Sequence, residues 1–237
     1  MNGHAIALGA VAAVCVSLFA VPRPVGAQAS ATPSAPATAS ARLVFETAAA
    51  FFSRTTNQAT AIDPQVFVQD AGAGTGSGPQ NVQHAAGVRN ARPADPTGIV
   101  AYDASDGSLG FTVDKWFAAE GTAEIGRLPD GRDRVTASFD RLIAFGVYSL
   151  FMMTLTPEGE IFRPLDNDAT TNTFTATADG IATVEVDANR SLGPDDAIVL
   201  VYHSDDMDHG LSRGLLGVDA HDQLVARMPA GALRKAL

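Results

Sequence analysis

Thr173-Phe174-Thr175-Ala176-Thr177-Ala178-Asp179-Gly180-Ile181-Ala182-Thr183-Val184-Glu185-Val186-Asp187 is the stretch that decides the fold class. Phe174, Ala176 and Ala178 alternate with three threonines. Past Asp179-Gly180, Ala182, Val184 and Val186 alternate with Thr183, Glu185 and Asp187. A period of two marks a strand with one face buried. Asp-Gly between two such runs is a strong hairpin signal, because a type I′ turn needs positive φ at both of its central residues.

Working outward, Pro129-Asp130-Gly131 separates two further strand-like segments, residues 122–128 and 134–142. In the second, Val135, Ala137 and Phe139 alternate with Arg134, Thr136, Ser138 and Asp140. Residues 147–153 and 197–202 are apolar at nearly every position, as central strands buried on both faces are. Residues 223–228 form a candidate last strand, and Phe111, Trp116 and Phe117 are expected in the core. Strands with turns between them, and no long amphipathic pattern, predict an all-β fold, an antiparallel β-sandwich (Ig-like or related) over residues 99–229.

The N-terminal end reads differently. Residues 5–21 are almost wholly apolar and are followed by Pro22, Pro24 and Val25-Gly26-Ala27. This is the layout of a secretory signal peptide over residues 1–27, cleaved after Ala27. The alternative is an uncleaved anchor, since the run is at the short limit of the ~20 apolar residues that cross a bilayer. Residues 28–41 are nearly all Ala, Ser, Thr and Pro, the composition of a disordered tether. Residues 42–98 are expected as an irregular extension with a Gly-rich loop at 72–79, and residues 230–237 as a tail. The loop lacks the Gly-Lys-Ser/Thr ending of a phosphate cradle.

The chain is acidic, with 16 Lys+Arg, 26 Asp+Glu and a formal net charge of −10. That argues against nucleic acid and anionic membranes as partners and leaves a protein or a small ligand. The single cysteine, Cys15, lies in the apolar leader, so the mature chain has no disulfide. There is no Gly-x-Ser-x-Gly elbow. Ser212, in Gly210-Leu211-Ser212-Arg213-Gly214, is wrongly spaced for one. Asp166-Asn167-Asp168 and Asp205-Asp206-Met207-Asp208 lack the spacing of a calcium loop and read as solvated turns.

Histidine is the one residue type that clusters. Three of the five, His203, His209 and His221, fall near the C-terminus. Imidazole is the commonest protein ligand for zinc and copper. The spacing matches no known zinc signature and brings the three together only if the loop with Gly210, Gly214 and Gly217 folds back. Met207 would add a soft thioether and favour copper. Asp205, Asp206, Asp208, Asp219 and Asp222 stand ready to orient imidazole N–H groups. The alternative is that these histidines pin an acidic loop to the sheet by hydrogen bonds.

The words Gly146-Val147-Tyr148-Ser149-Leu150-Phe151, Phe174-Thr175-Ala176-Thr177-Ala178-Asp179-Gly180 and Val201-Tyr202-His203-Ser204-Asp205 with His209-Gly210 resemble a group of exported bacterial and archaeal proteins of uncharacterised function. The first two also resemble the extracellular β-sandwich of anti-sigma-K factors. The chain departs from that family where its last strand lacks a Glu-Pro-Gly-Gly motif. The resemblance covers the C-terminal half and implies fold and location, periplasmic, cell-surface or extracellular, and no activity. The sequence reading is thus an exported, non-enzymatic binding or surface protein, or an exported copper- or zinc-binding protein. N-terminal sequencing of secreted protein is expected to start at Gln28. Full-length chain in the membrane fraction would instead establish the anchor.

Overall fold

A computed structural model describes residues 38–229. The expected signal peptide, the first part of the expected tether (residues 28–37) and the expected tail (residues 230–237) lie outside the described residues. In chain order the elements are β1 (Thr38–Val44), β2 (Glu46–Thr47), α1 (Ala48–Thr55), β3 (Phe67–Gln69), β4 (Gly76–Ser77), β5 (Gln83–His84), β6 (Val88–Asn90), β7 (Val100–Tyr102) and β8 (Ser108–Thr112). There follow α2 (Val113–Phe117), β9 (Glu120–Arg127), β10 (Asp133–Asp140), β11 (Val147–Thr156), β12 (Gly159–Pro164), β13 (Thr173–Thr175), β14 (Ala182–Asp187), β15 (Asp196–His203) and β16 (Ala220–Arg227).

The strands form a sandwich-like, mostly antiparallel fold. One sheet runs β1-β9-β10-β14. A second runs β12-β11-β15-β16-β2, with β13 also paired to β11. A smaller sheet, β6-β3-β7-β8, and the pair β4-β5 complete it. The expected Pro129-Asp130-Gly131 hairpin is present, with Val135 opposite Ile125 and Ala137 opposite Ala123.

β11 and β15 carry the two cores, one on each face. Tyr148, Leu150, Met152, Ile198, Leu200 and Tyr202 face the first sheet and pack with Ile125, Val135, Ala137 and Phe139. The intervening Phe151, Met153, Ala197, Val199 and Val201 face the opposite way and pack under Ala48, Phe51 and Phe52 of α1. The short helix is fixed at its start by Thr47, whose hydroxyl accepts the Ala50 N–H at 3.2 Å. Its apolar face is what closes the second core.

Three expectations are corrected. The two runs around Asp179-Gly180 do not pair with each other: β13 pairs with β11, and β14 pairs with β10. The turn therefore carries the chain from one sheet to the other. Alternation reports a buried face, and Phe174 supplies it by stacking on both Phe139 and Tyr148 between the sheets. Nor is the turn type I′, because Gly180 has positive φ (71°) and Asp179 does not. The tether expected to residue 41 ends sooner, since β1 begins at Thr38 and pairs along β9. An edge strand is held by backbone hydrogen bonds, which small side chains do not hinder. Residues 42–98 are also part of the fold: they bury Phe51, Phe52, Val66 and Phe67 and supply β3 and β6 to a sheet.

Gly180 is required for a reason beyond its φ. Its N–H donates to Thr177 O, its carbonyl accepts the Leu142 N–H at 2.9 Å, and a Cβ there would collide with the Leu142 carbonyl oxygen. Gly180→Val is expected to lower stability by about 1–3 kcal/mol, the cost of a strained backbone position. An unchanged urea midpoint would contradict this inter-sheet turn.

Candidate metal centre

The register of β15 against β16 decides which histidines can meet. His203 lies opposite Ala220, and Tyr202 opposite His221. Successive residues of a strand point to opposite faces. His203 therefore points to the α1 side with Val199 and Val201, and His221 to the sandwich side with Tyr202. The structure brings His203 and His209 together and sends His221 away from them.

His221 is fully buried and both its nitrogens have partners: Nδ1 lies 3.0 Å from Gln65 O and Nε2 3.2 Å from Ser204 Oγ. Its ring meets Trp116 edge-on at 6.3 Å. Burial holds its pKa below the usual range. It belongs to a polar network centred on Asp63, whose carboxylate accepts the Gln65 and Val66 N–H groups and the Trp116 indole N–H. Desolvation raises Asp63 to about 6 against those hydrogen bonds. Asp222, expected as a neighbour that orients imidazoles, is committed elsewhere. It is buried and takes a 2.7 Å ion pair from Arg213, with Gln80 Nε2 also donating to it.

The loop of residues 204–219 does fold back. Ser204 N–H donates to Asp219 O, and Ser204 Oγ lies 3.1 Å from Val218 O. Gly210, Gly214 and Gly217 all have positive φ. Gly214 has a second constraint, since a Cβ there would strike the Asp219 carboxylate and press on the His209 ring. The fold thus sets His209 and Asp219 on either side of a residue with no side chain.

Donor atoms from Asp205, His209 and Asp219 lie within 4.8 Å of one another. Among the described residues this is the one such group of three. His209 Nε2 sits 3.2 Å from Asp205 Oδ2. One Asp219 oxygen accepts the Leu215 N–H, which aims the carboxylate. His203 lies alongside, its ring centroid 5.2 Å from that of His209. It is buried, with Nε2 2.8 Å from Ser149 Oγ and Nδ1 without a hydrogen-bond partner. Burial, then His209, pushes its pKa down to about 4, partly offset by Asp205, Asp208 and Asp219. Met207 is 59% exposed.

An imidazole and two carboxylates at this separation suit a divalent first-row ion. Asp205 and Asp219, expected from the sequence to orient imidazoles, have carboxylate oxygens within 4.8 Å of a His209 ring nitrogen. The signal available was Asp205 four residues before His209. Gln65 and Trp116, which meet His221, lie over a hundred residues away in the chain and left no local pattern. The Asp166 carboxylate serves its own turn, accepting the Ala169, Thr170 and Thr171 N–H groups. No family model matches the chain, and no curated protein sequence matches it.

The buried groups give stability a signed pH dependence. With folded pKa values below the unfolded ~6.5, His203 and His221 stay neutral while the unfolded chain takes up protons. Stability is therefore lost as pH falls from about 6.5 toward 4. Asp63 opposes this, because its raised pKa lets the folded state bind a proton between about 6 and 4. In metal-free buffer the urea midpoint is expected to fall across that window, and more steeply in Asp63→Asn. A midpoint that rises on acidification would contradict the assignment of buried neutral histidines.

Proposed function

We propose that the chain is an exported protein whose β-domain binds a divalent transition-metal ion, zinc in the first instance, through Asp205, His209 and Asp219. The observation that carries this reading is the convergence of those three donors on a loop braced from within. Export is supported by the apolar leader and the Ala27 cleavage pattern. Zinc fits a set of one nitrogen and two carboxylate oxygens better than copper(I), which asks for sulfur. The exposed Met207 supplies no argument for copper. The proposal is non-enzymatic: what the loop offers is ion capture.

A second reading, a surface-associated binding protein, is favoured by Met207, Leu211 and Leu215, all more than half exposed on the same loop. Titration separates the two. Purified protein is expected to bind one zinc per chain and to release it below pH ~6 as imidazole protonates. His209→Ala and Asp219→Asn are each expected to weaken binding at least tenfold, with His221→Gln affecting stability alone. No binding, or binding indifferent to His209 and Asp219, would reject the metal reading and leave the second.

A further inference from the structure

A row of polar side chains crosses β13, β11 and β15. Thr173 pairs directly with Ser149, and His203 sits two positions along β15 from Val201, the partner of Ser149. Thr173 Oγ1 and Ser149 Oγ are 2.9 Å apart, and Ser149 Oγ and His203 Nε2 are 2.8 Å apart. Ser149 and His203 are both buried, on a face otherwise filled by Phe151, Val199 and Val201.

A serine hydroxyl has one proton to give. If Ser149 gives it to Nε2, then His203 carries its own proton on Nδ1, as a buried N–H with nothing to accept it. Such orphaned donors are rare in folded proteins, rarer than an acceptor left unfilled. If Ser149 gives it to Thr173, Ser149 Oγ is free to accept from His203 Nε2–H. Nδ1 is then a bare lone pair in a buried ring that abuts His209 and feels the charges of Asp205 and Asp219. A ligating imidazole characteristically donates its other N–H to an oxygen, which fixes tautomer and ring orientation. The row satisfies that requirement in advance.

We infer that His203 Nδ1 is the fourth ligand of the metal centre, and that Ser149, backed by Thr173, is the positioning residue that holds His203 in the ligating tautomer. This rests on the reading that Asp205, His209 and Asp219 hold the ion. His203 is not within the 4.8 Å group formed by those three donors. Loading therefore draws the loop of residues 204–219 inward onto an imidazole fixed at the end of a central strand. The completed set is two imidazole nitrogens and two carboxylate oxygens, a tetrahedral complement for zinc.

The test is long-range 15N–1H NMR of the histidine rings in the full mature chain, with zinc sulfate titrated in and affinity measured by calorimetry. His203 is expected as the Nε2–H tautomer in the zinc-free protein. Zinc is expected to shift its Nδ1 resonance while Nε2 keeps its proton. Ser149→Ala should weaken zinc binding 10–100-fold and lose the single tautomer, with Ser149→Thr restoring both. An Nδ1–H tautomer in the zinc-free protein overturns the inference, and so does one bound zinc that moves neither His203 nitrogen. Both results leave the three-residue site standing. If no zinc binds, the metal reading fails and this inference fails with it. The tautomer is read on unmutated protein, so an unstable variant does not blunt the test.

Discussion

Burial of β15 on both faces is the constraint from which the rest of the site follows. Each of its eight residues is buried. Alternate side chains enter different cores, one shared with the first sheet and one closed by α1. Sliding such a strand by one residue would exchange the contents of two packed cores, so its register is strongly specified. His203, at its C-terminal end, is therefore fixed on the α1 face. His221, one strand over and opposite Tyr202, is fixed on the other. A short α1 with two phenylalanines is what makes the second core possible, and with it the dry floor on which His203 sits.

The Asp63 network performs the complementary task. A carboxylate buried with no cation is costly. Here it is compensated by two backbone N–H groups and the Trp116 indole. Those contacts join residues 63–66 to α2, while Gln65 joins them to His221 and Asp222 of β16. The N-terminal segment is thereby locked to the last strand across more than 150 residues of chain. Arg213 extends the same network into the loop: it pairs with Asp222 and lies over the Phe162 ring. The base of the loop is held from both ends, and its donors converge above that base.

How much of this was legible in the sequence depended on whether the information was local. The β9–β10 hairpin, both central strands and β16 were visible because alternation and doubly apolar runs are written into consecutive residues. The inter-sheet route of residues 173–187 was not. Two alternating runs around Asp-Gly look the same whether they pair together or with separate neighbours, and the choice was made by Phe174 stacking between Phe139 and Tyr148. β1 escaped because its pairing with β9 uses backbone groups and leaves little trace in composition. At the site, clustering of His and Asp pointed to the loop after β15, and the fold sets His203, at the end of that strand, beside His209 of the loop. Facing could not be read, because it depends on the irregular register between Leu200 and Val201 against β16. A histidine with both nitrogens partnered and one with an unpartnered nitrogen look alike as letters.

The central claim is that the fold admits His203 and His209 to one metal centre and excludes His221 and Met207. X-ray absorption at the zinc edge of the loaded protein tests it most directly. The account predicts a nitrogen and oxygen shell at about 2.0–2.1 Å, outer-shell scattering from two imidazoles, and no sulfur. Three imidazoles, or a sulfur shell near 2.3 Å, would contradict it.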